Sequence, residues 1–204
     1  DFSIEALEPD DPKVYELYAK ADTEGIFQFE SGGMRAMLQG MRPTEFEDIV
    51  AAISLYRPGP MDSIPKYIEW KNSPEKVTYA HPMLEDILKV TYGCIVHQEQ
   101  VLAILRQLAG FSAGRADLVR RAMSKKKQDV MAQERANFVQ GILRPDGSVE
   151  VDGCVRRGVP EAVANRIFDE ITPFASYAFN KSHAAPYALV SYRTAYLKCY
   201  HPKE

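Results

Sequence analysis

A chain of 204 residues that is 46% hydrophobic can bury a sizeable core, as one large domain or two small ones, and is not disordered. Its formal net charge of −3 excludes a protein that binds nucleic acid with its entire surface. The charge is unevenly divided, however: residues 1–100 hold 18 acidic and 9 basic side chains and residues 101–204 hold 10 and 16, so the second half permits a local phosphate-binding patch.

Residues 1–10 are acidic and contain proline, and read as a linker into a helix over Asp11–Ala21, with Asp11 as N-cap and Pro12 at the first helical position. The aromatic and β-branched run at Ile26, Phe27, Gln28 and Phe29 predicts a short strand ending at Gly32-Gly33. Met34, Met37, Leu38 and Met41 recur at helical spacing, and Thr44-Glu-Phe-Glu47 reads as a capping box. The box opens a helix through Phe46, Ile49, Val50, Ile53 and Leu55 that must stop near Arg57-Pro-Gly-Pro60. An arginine held beside that rigid turn suits either a fixed ion pair or a fixed anion contact.

Helices are predicted over Pro65–Lys71 and His81–Thr91, then a β-like run at Gly93–His97, then a strong helix from Gln98 through Val101, Ile104, Leu105 and Leu108 that Gly110 ends. A basic helix follows after Ser112, and another helix runs from Asp129 to Leu143. Two Asp-Gly steps around Val149 and Val151 predict a small hairpin, read as an inserted decoration. A helix from Pro160 through Val163, Ile167, Phe168 and Ile171 is expected to break near Pro173. The last helix starts between Ser182 and Pro186 and runs to Tyr200. The expectation is a mainly α, multi-helical fold of about eight or nine helices with one or two short β elements.

Two stretches could carry chemistry. On the basic helix, Leu118, Val119, Ala122 and Met123 fall on one arc about 140° wide, while Arg120, Arg121, Ser124, Lys125 and Lys127 take the remainder. Like charges one turn apart, as at Arg121 and Lys125, cost a helix about 0.2–0.5 kcal/mol unless something anionic lies across them. That something is a phosphate, or else the face is simply solvated. The second stretch is Phe179-Asn-Lys-Ser-His-Ala-Ala-Pro-Tyr187, which gathers amide, ammonium, hydroxyl, imidazole and phenol groups where a helix begins. Continuing that helix, Tyr187, Ser191, Thr194 and Lys198 form a polar stripe within about 60°, read as the border of a cleft or as a solvent-facing stripe with His183 as a cap or core residue.

Cys94, Cys154 and Cys199 form no Cys-x-x-Cys pair, which argues against a zinc ribbon or a disulfide framework and fits a reducing, cytoplasmic setting. No apolar run approaches the ~20 residues that span a bilayer, so no membrane partner is expected. The start Asp1-Phe-Ser-Ile-Glu5 is neither a signal sequence nor an initiating Met and reads as part of a longer chain. The histidines and paired carboxylates have no metal-ligand spacing, and no nucleophile elbow or phosphate loop occurs.

Six blocks then carry a resemblance: Thr23-Glu-Gly-Ile-Phe-Gln-Phe-Glu-Ser31, Leu55-Tyr-Arg-Pro-Gly-Pro-Met61, Tyr92-Gly-Cys-Ile-Val-His-Gln-Glu-Gln-Val101, Leu108-Ala-Gly-Phe-Ser112, Ala116-Asp-Leu-Val-Arg-Arg-Ala-Met-Ser-Lys-Lys-Lys127 and Phe179-Asn-Lys-Ser-His183. In this order they resemble the fingers domain of bacterial DNA polymerase III alpha subunits, the C-family replicative polymerases. The resemblance implies a helical fingers domain over 23–204, preceded over 1–22 by a linker and first helix at the edge of a palm. It implies that Arg120 and Arg121 contact the triphosphate of an incoming dNTP with Lys125 and Lys126 nearby, and that Asn180, Lys181, His183 and Tyr187 line the nucleotide or primer side. Arg57, Ser124 and Lys127 are further candidate contacts. The partners implied are template-primer DNA, dNTP and other replicase subunits. The Mg2+ of the whole enzyme belongs to palm aspartates that nothing here matches, so no cofactor and no catalytic residue is expected in this chain, and the chain alone should not polymerise DNA. The rival readings are a helical nucleic-acid-binding module and a protein-interaction scaffold, both without catalysis. The family usually has Gly at Ser124, Tyr at His97 and no proline at Pro186; the last is expected to shorten the final helix and shift His183.

Overall fold

The computed structural model describes residues 3–125 and 128–203, apart from the side chains of 128 and 129. Among them are eleven α-helices: α1 (Pro12–Ala19), α2 (Gly32–Met41), α3 (Phe46–Leu55), α4 (Ile64–Asn72), α5 (Glu85–Leu88), α6 (Gln98–Ala109), α7 (Ala113–Ser124), α8 (Gln128–Gln140), α9 (Gly153–Arg156), α10 (Glu161–Tyr177) and α11 (Lys181–Tyr200). The single antiparallel pair is β1 (Ile142–Leu143) with β2 (Val149–Val151). The fold is mainly α, as expected, and the count exceeds eight or nine because α5 and α9 are single turns. No helix among the described residues is long and apolar enough to cross a membrane. The chain divides into two compact units, Asp1–Glu75 with Phe179–Glu204, and Lys76–Ala178.

In the first unit, α1 begins where the Asp11 carboxylate accepts from the backbone N–H of Lys13 at 2.8 Å, with Pro12 next in sequence. The predicted strand at Ile26–Phe29 is instead a pair of successive turns, with Gln28 at φ 70°. The Thr23 hydroxyl donates to the Phe29 carbonyl at 2.6 Å and closes the loop. The turns bring Ile26 and Phe29, three residues apart, into the core together at 0% exposure and leave Phe27 37% exposed. In α2, Met34, Met37, Leu38 and Met41 are all buried, as their spacing predicts.

The capping box of α3 lies one residue later than the sequence suggests, with Glu45 as N-cap and Asp48 closing it. Asp48 is fully buried and accepts from the N–H groups of Thr44 (2.9 Å) and Glu45 (3.3 Å), from the Tyr67 hydroxyl (3.4 Å) and from Lys71 Nζ (2.8 Å). One carboxylate thus caps α3 and ties α4 to it. Helix α11 packs on α3 and on α1, and most of the residues it buries are small: Ala184, Ala188, Ser191 and Ala195, beside Tyr192.

Helix α11 is capped by Asn180 and starts at Lys181, with Pro186 inside it. The proline therefore does not shorten it. The carbonyl that Pro186 leaves without its helical donor is that of the exposed Ser182, where water can serve it. The predicted polar stripe of α11 turns inward instead of bordering a cleft. Ser191 Oγ lies 2.7 Å from Tyr18 Oη, Thr194 Oγ1 accepts from the Phe27 N–H at 3.1 Å, and Lys198 reaches Asp22 at 2.7 Å and the Glu24 carbonyl at 3.0 Å. Tyr187 alone of the four is exposed.

In the second unit, Val101, Ile104, Leu105 and Leu108 form the buried face of α6, which packs on α7 and α10. The centre is aromatic, with the Phe138 ring 6.5 Å from Phe111 and 5.6 Å from Phe168. Two β or helical expectations change here. The span His81–Thr91 keeps only the turn α5, flanked by 3-10 turns. The run Cys94–Val96 joins no sheet; the Gln100 amide replaces a strand partner, accepting from Val96 N–H (2.9 Å) and His97 N–H (3.0 Å) and donating to Thr91 Oγ1 (2.7 Å). His97 is interior, 1% exposed.

Helix α10 runs unbroken through Pro173, because that residue and Asp169, whose carbonyl it leaves without a partner, both face solvent. Helix α8 ends at Gln140, three residues earlier than read, since Ile142 and Leu143 pair with β2 to form the predicted hairpin. Its ends cross closely: Gly141 and Gly153 have φ 85° and 71°, and a Cβ on Gly141 would lie 2.2 Å from the Val151 carbonyl oxygen. Val151 and Cys154 beside this crossing are buried, so the hairpin is anchored in the unit's core.

Two expectations follow for urea denaturation. Asp48→Ala, which strands a buried ammonium and several donors, should cost about 3–5 kcal/mol, against less than about 1 kcal/mol for Lys20→Ala in the exposed pair with Glu16. Gly141→Ala should cost more than about 2 kcal/mol, because the added methyl meets backbone that cannot move aside.

Candidate functional site

Helix α7 is set by Ser112, whose hydroxyl accepts from the Arg115 N–H at 3.2 Å, and by burial of Ala116, Val119 and Met123. The apolar face is narrower than predicted: Leu118 is 63% exposed and Ala122 half-buried. Arg120 and Arg121 converge on Asp117. One carboxylate oxygen accepts from Arg120 Nε (3.2 Å) and Nη2 (2.9 Å), and the other lies 2.7 Å from Arg121 Nε. The hydrogen bond from Arg120 is the first cause that holds the Asp117 carboxyl below its ordinary range, with the charges of Arg120 and Arg121 acting the same way. Asp117 is therefore ionised at neutral pH, and the repulsion expected between Arg121 and Lys125 is relieved from within the helix.

The other groups of α7 follow from that. Arg115 Nη2 donates to both oxygens of Glu134, at 3.0 and 2.7 Å, and fastens α7 to α8. The Ser124 hydroxyl, a candidate contact, donates to the Arg121 carbonyl at 2.8 Å and is committed to ending the helix. Lys125 is exposed and follows the last turn. Leu118, Arg121, Ala122, Lys125 and Val130 line an open cleft of about 420 Å³, an apolar floor with two cations beside it. Lys126 and Lys127 lie outside the described residues.

The other candidates gather in the first unit, where α11 begins. Asn180 Oδ1 accepts from the His183 N–H at 3.0 Å, so its amide is the cap of the helix. Lys181 Nζ is 2.8 Å from Glu47. Phe179, His183 and Tyr187 stand one turn apart with ring centroids 5.5 and 4.6 Å from one another, and Phe27 extends the row at 5.6 Å from Tyr187. The Arg57 guanidinium lies 4.9 Å from the centre of the Phe179 ring, a cation–π contact where the sequence suggested an ion pair or an anion contact. His183 is exposed, and so are Phe27 and Tyr187, each at 37%.

The structure thus brings Arg57, Asn180, Lys181, His183 and Tyr187 together in one unit and Arg120, Arg121, Ser124 and Lys125 together in the other. Phe27 was missed. Its signal was the i, i+3 spacing of Ile26 and Phe29, which in a turn sends the residue between them outward. Among the described residues no group of three or more His, Cys, Asp or Glu could hold a metal ion. Burial pushes the Cys154 thiol up to about 12, so it is no nucleophile.

Comparison with known proteins bears on both surfaces. The sequence profile of the bacterial DNA polymerase III alpha subunit finger domain matches residues 1–146. DNA polymerase III subunit alpha of Thermus aquaticus is 47% identical over 209 residues, covering 100% of this chain and 16% of its own length. The proteins of the same name from Staphylococcus epidermidis, 47% identical over 199 residues, and Halalkalibacterium halodurans, 46% over 200, each cover 98% of this chain. The match takes in 18% and 17% of those two relatives. With its profile matched over well more than half its length and its whole sequence aligned, the chain belongs to the bacterial DNA polymerase III alpha subunit finger-domain family.

Proposed function

We propose that the chain works inside a complete DNA polymerase III alpha subunit, where it binds the triphosphate of the incoming dNTP and closes on the template-primer during DNA-templated nucleotidyl transfer. The observation that carries the reading is the convergence of Arg120 and Arg121 on one anionic group. Two planar guanidiniums on adjacent residues can grip phosphate oxygens from two directions, and Lys125 adds a point charge beside them. Lys126 and Lys127 continue the same basic run in sequence.

Phosphoryl transfer asks a protein for positioning and charge stabilisation more than for covalent chemistry. Arg120, Arg121 and Lys125 would supply charge at the transferring phosphates. The row Phe27, Tyr187, His183 and Phe179 would present π faces and edges to a base or to the primer end, with Arg57 fixed at its far end. Asn180 and Lys181 would hold that row in place, through the helix cap and the Glu47 pair. Mg2+ would be held by palm aspartates of the whole enzyme. Without those residues the chain alone would bind but not polymerise. Template-primer DNA, dNTP and other replicase subunits are the partners this role requires.

In the full-length enzyme, Arg120→Ala with Arg121→Ala should lower kcat/KM for dNTP incorporation by about a hundredfold or more, since each lost charge-assisted contact is worth about 1.5–3 kcal/mol. Unchanged kinetics would show that α7 is a surface or a protein-docking face. Tyr187→Ala should lower incorporation efficiency by about tenfold while Tyr187→Phe preserves it, because stacking needs the ring and not the hydroxyl. Equal loss in both variants would assign the role to the hydroxyl instead.

A further inference from the structure

The arginines of α7 already hold an anion, and it belongs to the chain. Asp117 presents two oxygens on one centre, one in the fork of Arg120 and one against Arg121 Nε, the donor set a phosphate would use. It stands three and four residues before its partners on the same helix, so no movement of the backbone separates them; only rotation of the side chains does. The side chain is 33% exposed and can turn to water when displaced. The partners are unequal: the Arg120 side chain is 16% exposed and Arg121 66%, so Arg121 is free to swing while Arg120 stays close to the helix.

We propose that Asp117 is an internal competitor for the triphosphate, a positioning residue that holds Arg120 and Arg121 in the unliganded state, sets the affinity of the grip and gives way when nucleotide binds. The inference rests on reading α7 as the triphosphate-binding helix. A ligand gains the full grip only if it replaces Asp117 on both guanidiniums, and the state able to do so is the fraction in which Asp117 has turned away. A triphosphate carries enough anionic oxygens to engage both arginines. Because the competing pairs are partly exposed, the effect is modest and weakens as salt rises.

The test is Asp117→Asn in the full-length enzyme, which keeps the shape of the side chain and removes its charge. The dNTP dissociation constant from single-turnover incorporation, and the inhibition constant of inorganic tripolyphosphate, should both fall about threefold to tenfold. Asp117→Glu, which restores the charge, should return both constants toward wild type. A loss of folded structure would not tighten either constant, so tightening cannot come from damage. Constants that are unchanged or raised in Asp117→Asn overturn the proposal and leave Asp117 as an orienting or surface partner. If Arg120→Ala with Arg121→Ala leaves nucleotide binding intact, the reading of α7 itself fails. If that pair matters and Asp117→Asn does not tighten binding, the competitor alone fails.

Discussion

The first unit depends on one buried carboxylate. Asp48 has no exposed surface, and an ionised group there is tolerable because four neighbours supply it with donors: the backbone of Thr44 and Glu45, the Tyr67 hydroxyl and Lys71. The desolvation cost of such a pair is large, so its value is specificity more than gross stability. It fixes where α3 begins and where α4 lies against it. Both consequences reach the surface that carries the rings. Helix α11 packs on α3, and Glu47, one residue before Asp48, takes Lys181 at the start of α11.

The charges of the second unit are organised on the opposite principle. Arg120, Arg121 and Asp117 lie within a turn of one another on α7, part-buried at Asp117 and Arg120 and exposed at Arg121, where each pair contributes modestly and can be exchanged. A site that must release an anion as readily as it takes one is served by such pairs and not by a buried one. Arg115 with Glu134, part-buried to a similar extent as Arg120 with Asp117, joins α7 to α8.

Most of the helices were legible because burial imposes a period of 3.6 residues, and the residues that obey it, such as Met34, Met37, Leu38 and Met41, need no tertiary information. Caps at Asp11 and Ser112 add local chemistry that a sequence displays directly, whereas those at Ser31 and Asn180 were not read from it. What failed depended on which side of an element faces water. Pro173 and Pro186 are tolerated inside helices because the carbonyls they abandon are at the surface. Ile26–Phe29 has the composition of a strand, but no strand lies beside it, and hydrogen bonds from Thr23 and within the turn satisfy its backbone instead. Tyr187, Ser191, Thr194 and Lys198 share a face, yet three of them are bonded inward. Periodicity gives the stripe and cannot say what it meets. The arginines were found from sequence, and their carboxylate partner was not weighed, although i, i+3 and i, i+4 spacing displays it plainly.

The position of the cationic face within α7 has its own consequence. Arg120, Arg121 and Lys125 lie at the C-terminal end of the helix, where the aligned peptide dipoles present negative charge and favour cations. An anion bound there receives no help from backbone N–H groups, which point toward the other end of the helix. Everything that attracts it comes from side chains, two of which are already occupied by Asp117 and one of which, Lys125, is exposed. Affinity on such a face is set by side-chain charge and geometry alone. It is therefore adjustable by single residues and sensitive to ionic strength.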